Sequence, residues 1–168
     1  MAETSAGILL FRRAPALTVL LGHMGGPFWH GKDASAWSIP KGTFIAEDEE
    51  PLAAALREFE EEIGRPAPDV AYRELGVFRY SSGKLVWVFA GESDFDAGRV
   101  DSNTFELEWP PRSGRRQSFP ELDAAGWFPL RDARPRLVKG QRAALDALAE
   151  LVTPAHPAHP AHPGASAS

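Results

Sequence analysis

WSIPKGTFIAEDEEPLAAALREFEEEIG, residues 37–64, decides how this chain is read. Pro51 stands where a first helical turn tolerates a missing N–H. Asp48 and Glu49, just before it, suit the positive end of a helix dipole. Good helix formers run on to Ile63, and Gly64 is a natural stop. At about 100° per residue, Leu52, Leu56, Phe59 and Ile63 share one side, which the pattern turns toward the core. Glu58, Glu61 and Glu62 fall together on the other side. Four of the five residues 58–62 are Glu, and Arg57 is the one cation of the helix. Like charges at this spacing repel. On spacing alone two readings stay open: a solvated acidic face, or oxygen ligands for a hard divalent ion.

The segment resembles the signature of the Nudix hydrolases: Gly, five residues, Glu, seven residues, Arg-Glu, a bulky aliphatic, any residue, Glu-Glu, any residue, Gly, a bulky aliphatic. Arg57-Glu58, Glu61-Glu62 and Gly64 match in register, and Glu49 stands eight before Arg57. Three positions depart from the pattern. Gly42 lies seven residues before Glu49 instead of six, Phe59 replaces an aliphatic, and Arg65 replaces the last apolar residue. The extra residue falls in the loop, where it does not rotate the carboxylates. Trp37-x-x-Pro40-Lys41-Gly42 ahead of the signature resembles the diadenosine tetraphosphate hydrolase branch.

The resemblance implies an α/β fold, a Nudix-type α/β/α sandwich with a mixed β-sheet. It implies hydrolysis of a nucleoside diphosphate linked to another group. Glu58, Glu61 and Glu62 are the implied metal ligands, with Mg²⁺ as the ion and Mn²⁺ as the second choice. Arg57 is implied to hold these carboxylates by salt bridges, and Gly42 to let the loop turn tightly. The expected catalytic set is Glu58, Glu61, Arg57 and a carboxylate that takes a proton from water. Glu121 is the choice for that carboxylate, over Glu106 and Glu108, because it precedes the strand-like Ala124–Phe128.

The rest of the chain frames this segment. With 168 residues, one domain over 1–153 is expected, followed by a disordered Ala-His-Pro tail over 154–168. A net charge of −5 argues against a nucleic-acid partner. There is no Cys, so no disulfide framework. No signal peptide or membrane-length apolar run is visible, which makes the cytoplasm the default. The expected partner is a small-molecule nucleotide, without membrane, for a monomer or homodimer.

Residues 4–11, 17–23, 37–39, 70–80, 84–92, 105–109 and 124–128 read as strands, 129–136 as a short helix or turn, and 139–152 as an amphipathic helix. Phe28 and Trp29 sit in a Gly-rich loop over 24–36, as a lid or as a stacking surface for a base. His23 and His30 read as local hydrogen-bonding residues. Lys41 beside the acidic helix suits a phosphate contact. Arg112, Arg115 and Arg116 form a basic loop fit to grip polyphosphate, with Trp109 near enough to add a stacking face. Lys41, Gly42, Arg112, Arg115, Arg116 and Trp109 are thus the expected substrate contacts. Dinucleoside polyphosphates are the first expected substrate and nucleoside triphosphates the second, with nucleotide sugars also open. Two other classes stay in view: a catalytically silent nucleotide-binding module, and an acidic helix that binds a basic partner.

Overall fold

The computed structural model describes residues 3–153; the Ala-His-Pro tail lies outside them. Nine strands and three helices follow in order: β1 Thr4–Arg12, β2 Thr18–Met24, β3 Trp37–Ser38, β4 Lys41–Thr43, α1 Pro51–Ile63, β5 Tyr72–Arg79, β6 Leu85–Glu92, β7 Thr104–Glu108, β8 Arg116–Pro120, β9 Leu122–Pro129, α2 Leu130–Arg136 and α3 Arg142–Val152. A 3-10 turn, Lys139–Gln141, leads into α3.

β1 is the axis. It pairs parallel with β6 from Thr4 to Phe11. On its other edge it pairs antiparallel with two strands in turn, β4 at its start and β2 at its end. β5 closes the sheet beyond β6, while β3 and β9 both pair with β2. The sheet is therefore mixed. β7 and β8 form a separate two-stranded sheet.

Period-two alternation puts helices on both faces. Ala6, Ile8 and Leu10 of β1, with Phe89 of β6, meet Ala54, Ala55, Phe59 and Ile63 of α1. Leu9 and Phe11, with Val86, Val88 and Ala90, meet Ala133 of α2 and Ala144, Leu145 and Leu148 of α3. This is the expected α/β/α sandwich. Among the described residues no helix is long and apolar enough to cross a membrane.

α1 corrects the expected core stripe. Its buried residues are Ala54, Ala55, Glu58, Phe59, Glu62 and Ile63. Leu52 and Leu56 are only half-buried, at the flank. The helix is thus turned so that small alanines and two glutamates face the sheet. The helix stops as expected at Gly64, whose φ of 90° is left-handed. A second correction concerns residues 116–120, which had no assigned structure and form β8.

This orientation is testable. Phe59→Ala empties a fully buried site and should cost about 3–5 kcal/mol. Leu56→Ala, on the half-buried flank, should cost only about 1–2 kcal/mol. Urea unfolding midpoints of the two variants check the order.

Candidate active site

β4 brings the chain back along β1, with Gly42 opposite Ala6. α1 lies against this pair. Glu58 and Glu62, one turn apart, point into the contact and are 8% and 9% exposed. A Cβ built on Gly42 would land in the Glu58 carboxylate. Gly42 is therefore required for the close approach of strand and carboxylate. It lies inside a strand, so it does not make the tight turn that the resemblance implied.

Arg57 organises the outer side of the cluster. Its Nε and Nη2 donate to the two oxygens of Glu49, at 2.9 and 2.8 Å. Its Nη1 donates to Glu58 Oε1 at 2.7 Å and Glu61 Oε1 at 3.3 Å. The fork geometry of a guanidinium makes such shared pairing available. The longer 42–49 loop leaves Glu49 within reach of Arg57: Phe44 is buried beneath it, and Asp48 and Glu49 donate their backbone N–H groups to the Ile45 carbonyl.

The charges follow from this packing. The Arg57 hydrogen bonds hold the Glu49 carboxyl below its ordinary value. Burial pushes Glu58 up, against the pull of Arg57. Burial pushes Glu62 up to about 8, although the Lys41 ammonium and the Lys41 N–H, which donates to Glu62 Oε2 at 3.1 Å, oppose the shift. The nearby Glu121 and Glu58 charges add to it.

A cavity of about 470 Å³ opens at this contact. Lys41, Gly42, Glu58, Glu61, Glu62 and Glu121 all line it. Glu121 arrives from the short link between β8 and β9, where its N–H donates to Asn103 O and its carbonyl accepts from Gly25 N–H. Glu3, Asn103, Tyr80 and Lys84 also line the cavity, and none of the four was singled out from the sequence. The Tyr80 hydroxyl accepts from Nε2 of the fully buried Gln141 at 2.7 Å. Lys84 pairs with Glu3 at 3.2 Å. Tyr80 and Lys84 carried no sequence signal beyond flanking a hairpin. Asn103 donates its N–H to the Glu61 carbonyl, a helix-end contact that only the folded chain reveals.

The basic loop lies elsewhere. Arg112, Arg115 and Arg116 are exposed, at the tip of the β7–β8 hairpin, and do not line the cavity. Four residue steps of β8 separate Arg116 from Pro120, about 13 Å of extended chain. Trp109 is also at the tip, packed edge-on against Phe28 with centroids 5.5 Å apart.

Among the described residues, no three His, Cys, Asp or Glu side chains form a ready-closed metal cluster. The Arg57 guanidinium stands between Glu58 and Glu61 instead. The donor set nevertheless fits a hard cation in its chemistry. It is all oxygen, it is rich in negative charge, and burial disfavours the charged form of Glu62 unless a cation is near.

Residues 1–148 match the model of the NUDIX domain family. No curated protein matches the chain significantly by sequence. Among solved structures, the chain is similar to an Ap4A hydrolase binary complex from C. elegans, at 20% identity over 88% of this chain and 96% of that one, with a TM-score of 0.58. It is similar to the NUDIX domain of Shewanella oneidensis NrtR in complex with ADP ribose, at 15% identity over 91% and 90%, with a TM-score of 0.61. The E. coli ORF135 protein matches at 20% identity over 94% of each chain, with a TM-score of 0.58. A family match over most of the chain, on the fold just described, means that this protein belongs to the Nudix family and is a Nudix pyrophosphohydrolase.

Proposed function

We propose that the chain hydrolyses dinucleoside polyphosphates in a divalent-ion-dependent reaction, with diadenosine tetraphosphate giving ATP plus AMP. One observation carries the reading. Five carboxylates and only two ammonium groups line one cavity. Polyphosphate is itself an anion, so it enters such a cavity only together with cations. The Ap4A named for the C. elegans neighbour is a substrate of this class.

Glu58, Glu61 and Glu62 would hold the ion. Mg²⁺, or Mn²⁺, supplies positive charge that offsets the phosphates and polarises their oxygens. Arg57, anchored on Glu49, positions Glu58 and Glu61. Lys41 meets a phosphate oxygen at the cavity wall. Glu121, the carboxylate on the opposite wall, takes a proton from the attacking water. The water oxygen bonds to phosphorus, the bridging P–O bond breaks, and the leaving phosphate departs as an anion. Substrate length favours the dinucleoside compounds over triphosphates: Arg116 stands about 13 Å along β8 from Pro120, with Arg115 and Arg112 beyond it, within reach only of the far end of a long ligand.

A substrate panel tests this. Diadenosine polyphosphates, nucleoside triphosphates, ADP-ribose and nucleotide sugars are each incubated with Mg²⁺ and with chelator, and the products are separated by anion exchange. ATP plus AMP from diadenosine tetraphosphate, lost on chelation, is the expected result. Pyrophosphate plus a monophosphate from the triphosphates alone would refute the substrate assignment. Glu121→Gln should lower kcat by about 10²–10⁴-fold while Mg²⁺ affinity by calorimetry holds. Glu62→Gln should weaken Mg²⁺ binding itself.

The chelated protein should also lose stability as pH rises. Glu62 binds its proton more tightly in the fold, at about 8, than at its ordinary 4.5. Between those values the unfolded chain releases its proton first, so the fold is progressively destabilised toward pH 8. Below about pH 4.5 both states are protonated and the effect vanishes. Thermal unfolding between pH 5 and pH 8.5 should show the fall in chelated wild type, a flatter profile in Glu62→Gln, and restoration by Mg²⁺.

A further inference from the structure

A second cleft, of about 410 Å³, lies between the 24–36 loop and the base of the β7–β8 hairpin. Gly26, Pro27, His30, Phe119, Pro120 and Asp123 line it. It begins one residue from the acidic cavity, because Pro120 precedes Glu121. Its walls are tied together: Gly25 N–H donates to Glu121 O at 3.0 Å, and Phe28 packs on Trp109 beyond it.

Gly26, Pro27, Phe119 and Pro120 make the walls largely apolar, and the polar groups are the His30 ring and a held carboxylate, Asp123. The Lys32 carbonyl can only accept, so His23 Nε2 donates to it, at 2.7 Å. His23 Nδ1 meets Asp123 Oδ1 at 2.8 Å. His23 itself is only 9% exposed and is braced edge-on by Trp37. One oxygen of Asp123 is thereby engaged. The other, Oδ2, has no hydrogen-bond partner among the described residues. A fixed acceptor beside an apolar slot suits a flat heteroaromatic ring that carries an N–H donor.

We propose that this cleft binds a nucleobase carrying an exocyclic amino group, and that Asp123 Oδ2 accepts the amino hydrogen. The proposal rests on the hydrolase reading for its link to the acidic cavity. It gives Asp123 and Phe119 the role of specificity residues: Phe119 supplies ring contact, Asp123 reads the edge, and His23 positions Asp123. Asp123→Leu removes the acceptor and keeps a side chain of similar size at the cleft edge, so it removes the reading without removing the wall.

The test compares adenine compounds with purine-riboside analogues that carry the same phosphate chain and lack only the amino group. Wild type should favour the adenine compound by about tenfold in kcat/KM, as expected for one hydrogen bond to a charged acceptor. Asp123→Leu should bring that ratio to about one, and Phe119→Ala should raise KM for both compounds alike. In parallel, adenosine and purine riboside are titrated into the chelated protein and tryptophan fluorescence is followed. This readout needs no hydrolysis, so a failed hydrolase reading, with every substrate inert, is distinguished from a failed cleft. Equal binding and equal kcat/KM for the two compounds in wild type, or an unchanged preference in Asp123→Leu, would overturn the proposal.

Discussion

Two glutamates are held against a β-strand by a helix, and the arrangement of the site depends on that contact. Burying a carboxylate costs free energy unless something compensates its charge. Here the compensation is uneven. Glu58 has the Arg57 guanidinium, while Glu62 has one backbone N–H and a nearby ammonium. The strand makes room for the contact by omitting a side chain at Gly42, and the helix by carrying alanines at 54 and 55. A core chosen for stability alone would have placed leucines on this face. The geometry makes sense if a cation completes it.

The sheet explains why the contact lies where it does. β1 is paired on one edge by β6 from Thr4 to Phe11 but shared on the other by β4 and β2. The chain between those two strands diverges from β1, and β4 carries Lys41 and Gly42 to the start of β1, beneath α1. On the far side, β9 pairs with β2 and so delivers Glu121 from its own entrance. Two walls of the cavity are thus set by strand pairing, which is stiffer than loop placement.

Much of this was legible in the sequence. The helix over 51–63 announced itself through Pro51, a run of helix formers and Gly64, and the sandwich followed from the order of strands and helices. The inward side of the helix was not legible. Hydrophobic periodicity assumes that glutamates seek water, so it selected Leu52 and Leu56 and passed over Ala54 and Ala55. Gly42 reads as a turn residue because the resemblance places it in a loop. Its reason is a carboxylate 16 residues further on, which no local pattern encodes. β8 was missed because RQSFP is short and starts with a charge, and its strand state depends on pairing with β7. Tyr80 and Lys84 reach the cavity through tertiary contact alone.

Arg57 resolves a difficulty that the carboxylates create. Without a cation, Glu58 and Glu61 would repel each other across one turn, and Arg57 Nη1 lies against both. The same guanidinium is fixed independently by the two bonds of Glu49 on its other edge. Glu58 and Glu61 can therefore turn toward a cation while Arg57 keeps a full partner and stays in place. A lysine could not do this, since a point charge has no second edge to anchor. Glu49 matters for that reason: it leaves the shared carboxylates free to exchange one positive neighbour for another without an uncompensated charge at either stage.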